Sequence, residues 1–203
     1  MRVLTEVDHR IKVKALADLL DLPVIVRVNK FDEDSAKKFA EDMNKAVCVE
    51  QPVIPILIDS YGGQVYALMS MIDTIKQTKT PVATVVMGKA MSCGAVLTTC
   101  GAEGMRFCAP NATIMIHDVS SFEMGKNEEI KAGAKEVERL NDSIYKVMGN
   151  NCGHGDKYFW DIVQTKGRAD WYLDAAEAKE HNVVNHLRIP DFKVKLVAKV
   201  TFE

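Results

Sequence analysis

Three times in its first hundred residues the chain runs from a β-branched stretch, through a short polar break, into a segment with helical periodicity. No other feature constrains the fold as much. Pro23-Val24-Ile25-Val26-Arg27-Val28 leads into Asp32-Glu33-Asp34-Ser35, acids that suit the positive end of a helix dipole. Ala36, Phe39, Ala40, Met43 and Val47 then fall on one helical face. Pro52 to Ile58 predicts a second buried strand, broken at Tyr61-Gly62-Gly63 and followed by a helix through Tyr66, Met69, Ile72 and Ile75. Pro81 to Met87 predicts a third, with a turn at Gly88 and a helix from about Ser92 to Cys100. Strands alternating with helices over such short connections specify a mainly parallel α/β core.

Two shorter strands are expected next, Met105 to Cys108 and Thr113 to His117, and then a long polar helix from Asn127 to about Met148. Ile130, Ala134, Val137, Ser143, Ile144 and Val147 leave that helix only a thin apolar stripe, so it should project from the core or pack against another subunit. Asn150 to Gly155 breaks it. A short helix holding Phe159, Trp160 and Ile162, a helix from Asp174 to His181 and a strand Val183-Val184 are expected to follow. Phe192, Val194, Leu196, Ala198, Val200 and Phe202 alternate with mostly polar residues, which predicts a final strand with one wet face.

A chain of 203 residues, 47% hydrophobic, supplies one sizeable core rather than two domains. Its 26 basic and 28 acidic residues nearly balance, with no basic block, so no nucleic-acid partner is expected. The apolar runs fall well short of the roughly 18 residues of a membrane span. Met1-Arg2-Val3-Leu4-Thr5-Glu6 meets charge too early for a secretory signal; a soluble, cytoplasmic protein is the expectation. The five cysteines, 48, 93, 100, 108 and 152, are odd in number and lack C-x-x-C spacing. They read as small core residues, not a disulfide framework or zinc knuckle.

Chemistry concentrates in three stretches. Ala90-Met91-Ser92-Cys93-Gly94, between a strand and a helix, fits the nucleophile elbow G-x-S-x-G with alanine in the first place. Small flanking residues are needed because a sharp turn there leaves no room for larger ones. Read alone, Ser92 could equally be an N-cap. Asp59-Ser60-Tyr61-Gly62-Gly63 offers a backbone that another chain can approach closely, or an ordinary strand-to-helix turn. His117 ends a core strand, and a serine nucleophile needs a base. His9, His154, His181 and His186 are less well placed, lying in the irregular N-terminal stretch, a glycine-rich loop and beside the last helix.

Together these stretches resemble the proteolytic subunit of the Clp protease from about Pro23 to Asn185. Ser60-Tyr61-Gly62-Gly63 stands for that family's S-P-G-G turn, and Gly88 to Ala95 for its G-x-A-x-S-x-G-A elbow. Arg106 to His117 matches R-F-x-x-P-N-x-x-x-M-I-H, and Asp170-Trp171-Tyr172-Leu173-Asp174-Ala175-Ala176-Glu177-Ala178 matches its aspartate before an aromatic-Leu-x-A-x-E-A run. The resemblance implies a Clp/crotonase-type spiral of strand-strand-helix units, a compact head with the long helix as a projecting handle. Residues 1–22 would be an atypical N-terminal segment, 23–188 the peptidase domain and 189–203 a C-terminal strand extension. It further implies a serine endopeptidase with Ser92 as nucleophile, His117 as base and Asp170 orienting it. The oxyanion would be bound by the backbone N–H groups of Gly63 and Cys93. Asp118, on the next position of a strand, should aim away from His117, and Asp174 should cap the following helix. Cys93 itself is the less favoured nucleophile, its side chain turned to another side of the helix.

The implied substrate is a short or unfolded polypeptide, and the implied assembly a homo-oligomer of heptameric, stackable rings. No metal or organic cofactor is implied. A separate AAA+ unfoldase would use ATP, since the chain has no G-x-x-x-x-G-K-[ST] match. Several departures bear on this. Tyr61 replaces a proline, Ala169 an arginine beside the aspartate, the Gly153 to Lys166 stretch is longer, and both ends are unfamiliar. A crotonase-like acyl-CoA enzyme, a non-catalytic or regulatory ring subunit and a maturation peptidase working without an ATPase stay open as alternatives.

Overall fold

The computed structural model describes residues 3–6 and 23–195. Strand β2 (Val26–Val28) feeds helix α1 (Glu33–Cys48). Strand β3 (Ile54–Ser60) feeds α2 (Val65–Gln77), and β4 (Val82–Met91) feeds α3 (Cys93–Thr99). These are the three expected units. The sheet runs β2-β3-β4-β6-β7, with β6 at Thr113–Ile116, β7 at Trp171–Leu173 and the short β5 (Arg106–Cys108) paired to β4 beside it. All pairs are parallel except β6 with β7. A mixed α/β architecture on a mostly parallel sheet follows, as expected. Strands β3 and the first half of β4 are buried almost without interruption, the signature of a parallel sheet covered on both faces.

Helix α1 starts where its chemistry says it should. Asp32 accepts from the Ser35 amide at 2.8 Å while Ser35 Oγ accepts from the Asp32 amide at 2.8 Å, a reciprocal cap. Its inward face carries Phe39, Met43 and Ala46; Val47 points outward, because the stripe drifts by the fraction of a turn that separates 3.6 from 4. On α2 likewise, Leu68, Met71 and Ile72 are buried while Tyr66 is exposed.

Two expectations are corrected. Gly88 makes no turn. Strand β4 continues through it, at φ +82°, as a bulge: Ile58 pairs with Val86, but Ser60 pairs with Ala90. Before the bulge β4 pairs with β5 (Thr84 to Arg106), and after it with β6 (Lys89 to Thr113). A glycine free to take positive φ serves a bulge as readily as a turn, and the sequence does not separate the two. Nor are Val183 and Val184 a strand. Both are fully buried in an irregular passage that begins at Asn182, φ +53°, and ends with His186 bridging Phe107.

Helix α4 (Asn127–Asn151) is the long polar helix, three residues longer than expected at its C-terminal end. Its second half buries Leu140, Ile144, Tyr145 and Met148, whereas nothing from residue 127 to 139 is buried. Helices α5 (Tyr158–Thr165) and α6 (Ala175–Glu180) complete the head, with Asp174 capping α6 by accepting from the Glu177 amide at 2.8 Å. Strand β1 (Val3–Glu6) pairs in parallel with β8 (Phe192–Lys195) as a separate two-stranded sheet. The tail's expected strand is present over 192–195; its continuation to Phe202, like His9, lies outside the described residues. None of the described helices is long and apolar enough to cross a membrane.

Candidate active site

Three strand ends converge because the sheet register makes them. In the parallel pair β4–β6, Met91 lies beside Met115, so Ser92 emerges next to Ile116, and its amide donates to the Met115 carbonyl at 2.8 Å. In the antiparallel pair β6–β7, Ile116 faces Trp171. The next rung outward therefore pairs His117 with Asp170, and His117 Nδ1 lies 3.3 Å from Asp170 Oδ1. Ser92 and His117 line one pocket of about 50 Å³, with Val65, Leu68, Val96 and Ile116 supplying much of its apolar wall. No hydrogen bond joins Ser92 to His117 among the described residues. The site lies at the carboxyl ends of parallel strands, where open α/β sheets present their functional groups.

Ser92 occupies φ +55°, ψ −119°, a conformation that non-glycine residues rarely adopt. It stands at the N-cap position of α3 yet its hydroxyl makes no capping bond. The N-cap reading is thereby excluded, and the strained strand-to-helix elbow is what remains. The elbow also explains Gly62, at φ +102°: a Cβ there would lie 2.7 Å from Ser92 Cβ and 3.0 Å from the Met91 carbonyl oxygen. The glycine turn and the elbow interlock. Ser60 Oγ holds the turn by accepting from the Gly62 amide at 3.0 Å, and Cys93 Sγ donates to the Gly63 carbonyl at 3.3 Å. Among the described residues neither the Gly63 amide nor the Cys93 amide donates to a protein acceptor.

Burial pushes the Cys93 thiol up to about 11. At neutral pH it is a protonated thiol, tied to a carbonyl, and a poor nucleophile. Asp118 turns away from His117 and accepts from Tyr145 Oη at 2.8 Å. The remaining described histidines are structural. His154 stacks on Tyr158 with ring centroids 3.8 Å apart, His181 Nδ1 meets Tyr158 Oη at 2.8 Å, and His186 stacks on Phe107. No group of histidine, cysteine and acid side chains suited to a metal occurs among the described residues.

One supporting residue was not singled out by sequence reasoning. Arg106 is 3% exposed; its guanidinium donates to Asn185 Oδ1, Asn182 Oδ1 and the Asn151 carbonyl. It ties β5 to the end of α4 and to the passage after α6, and so fixes the frame around β6 and β7. A charged residue inside an otherwise apolar strand was the available signal, since buried cations persist only where fully paired.

A family model described as Clp protease matches residues 8–189. The chain is 37% identical over 134 residues to the ATP-dependent Clp protease proteolytic subunit 1 of Rhodopirellula baltica, covering 66% of this chain and 57% of that protein. It is 34% identical over 136 residues to the ATP-dependent Clp protease proteolytic subunit of Bacteroides thetaiotaomicron, covering 67% and 60%. The aligned segment thus spans less than two thirds of each relative.

Proposed function

Given that this chain belongs to the Clp protease family, we propose that it is a serine endopeptidase in which Ser92, His117 and Asp170 act as a triad. The observation that supports the reading is the sheet register, which brings a strained, uncapped serine into one pocket with a histidine whose Nδ1 lies 3.3 Å from a carboxylate. In this mechanism Ser92 Oγ attacks the scissile carbonyl while His117 Nε2 takes its proton. Asp170 holds the tautomer with hydrogen on Nδ1 and stabilises the imidazolium. The Gly63 and Cys93 amides receive the oxyanion, already free of protein acceptors and so needing no rearrangement. His117 returns the proton to the leaving amine, and water then releases the acyl-enzyme by the same steps. Contacts of this kind are often long in an unliganded enzyme and tighten around substrate, which accommodates the missing Ser92–His117 bond. The apolar pocket wall suits an uncharged side chain at the scissile residue.

The proposal extends to assembly. Phe122 and Met124 are almost fully exposed beside the unburied half of α4, a surface suited to a second copy of the chain in a ring chamber. A separate ATPase that unfolds and delivers substrates, and a cytoplasmic setting, are part of the same proposal on the family's account.

Fluorophosphonate labelling of the assembled protein, read by peptide mass spectrometry, tests it. The tag is expected on Ser92, with hydrolysis of fluorogenic peptides abolished in Ser92→Ala. A tag elsewhere, or full activity in that variant, removes the triad.

A further inference from the structure

A cleft of about 480 Å³ leaves the serine pocket and runs toward α4, sharing Gly63, Val65, Val119 and Ser120 with it. Gly63 to Tyr66 form one wall, Val119 to Ser121 the other, and one face of α4 the floor. An extended chain advances about 3.3 Å per residue, so a substrate leaving the serine enters this cleft within a few residues.

Only two of the lining residues carry charge, Glu123 and Glu136. They are not equivalent. Glu136 accepts from Tyr66 Oη at 2.7 Å and from both Arg139 nitrogens at 2.6 and 2.8 Å. Its charge is compensated, and those partners hold it down at about 2. Glu123 has no ion pair and no side-chain hydrogen bond among the described residues. Its carboxylate lies in a notch on α4: a Cβ built on Gly133 would meet Glu123 Cδ at 2.5 Å and both carboxylate oxygens at 2.8 Å. Glycine inside a helix is unfavourable by about 1 kcal/mol relative to alanine, so helix formation does not account for it. The missing side chain leaves the Glu123 carboxylate room to lie against the helix.

We propose that Glu123 is a specificity-determining residue that selects polypeptides carrying lysine or arginine a few residues from the scissile bond. This rests on the peptidase reading above. The apolar wall around Ser92 receives the scissile residue itself, and the uncompensated carboxylate receives a cationic side chain farther along the cleft. Because Glu123 is exposed, the selection is modest and salt-sensitive.

The test is a positional-scanning library of internally quenched peptides hydrolysed by the assembled protein. One subsite other than the scissile residue's own is expected to favour lysine or arginine over glutamate by about threefold to fivefold in kcat/KM, an advantage that shrinks as salt is raised. Glu123→Gln should bring that ratio to about one and Glu123→Lys should reverse it. Glu128→Gln, on an exposed acid paired with Lys131 at 2.9 Å, should leave the ratio as it was. Gly133→Leu keeps the acid but displaces its carboxylate from the notch and should also depress the ratio, which covers the case of a Glu123 variant that misfolds. A flat profile at every such subsite, with neutral peptides still cleaved, overturns the assignment of Glu123 alone. So does a ratio that survives Glu123→Gln. Failure to cleave any peptide, neutral ones included, overturns the peptidase reading and this inference with it.

Discussion

The elbow and the first half of α4 line two adjoining hollows and are held in opposite ways. Ser92 is fixed from three directions: by the Met115 carbonyl on its amide, by Gly62 against its Cβ, and by the Cys93–Gly63 contact beside it. From residue 127 to 139 no side chain is buried, and ion pairs such as Glu128–Lys131 and Glu136–Arg139 stay along the helix. The first region is determined within one chain. The second has no buried side chain and meets the rest of the chain through contacts such as Tyr66 Oη on Glu136 at 2.7 Å.

The contrast can be broken at the elbow first. Gly62→Ala puts a Cβ into Ser92 at a backbone angle alanine resists, and displacement of a nucleophile by about 1 Å lowers rates roughly 100-fold. Peptide hydrolysis should fall by that order while the far-ultraviolet spectrum holds; near-normal turnover would mean that the elbow is softer than described. A paired truncation along α4 comes next. Ile144 is 6% exposed and Ile130 42%, so Ile144→Ala should lower unfolding stability by about 2–4 kcal/mol and Ile130→Ala by less than about 0.5 kcal/mol. Urea titrations check both. Equal losses that grow with protein concentration would show the exposed half to be covered in the assembly.

The smallest effect concerns His181, which packs against Trp171, the strand residue that follows Asp170. Burial lowers its pKa from 6.5; Glu177 and Glu180 oppose the shift, while His154 and Lys166 reinforce it. Trp171 packs edge-on against its ring and Tyr158 Oη meets its Nδ1. Because the folded value is the lower one, the unfolded chain binds more protons as the pH falls through 6.5. The stability His181 contributes is present above that point and lost below it. Melting curves across this window should slope less in His181→Gln than in the parent, and identical slopes would assign the effect to other groups.

Much of this was legible beforehand because local rules and global fold agree. The Pro23, Pro52 and Pro81 strands each announce a buried parallel strand, and the small residues around Ser92 announce an elbow. What stayed hidden depends on register. That His117 meets Asp170 across 52 intervening positions follows from Ile116 facing Trp171, and no local pattern encodes that pairing; the resemblance, not the spacing, pointed to Asp170. Gly88 was misread because bulge and turn ask the same freedom of a glycine. Val183 and Val184 looked like a strand because burial, not pairing, is what two adjacent valines advertise. Glu123 escaped notice altogether, since an acid in a polar loop signals nothing until a helix presents a notch for it.

Gly88 never nears the reacting atoms, yet it is the point at which one strand changes neighbours. A side chain there would stand 3.1 Å from Asp59 Oδ1, the oxygen that Lys89 Nζ holds at 2.7 Å while that same amine lies over the Tyr61 ring. The disturbance would spread along both rungs at once, toward the glycine turn and toward the serine. Any residue with a side chain at position 88 would therefore meet both a strained backbone angle and a crowded ion pair, although the position lies away from the serine itself.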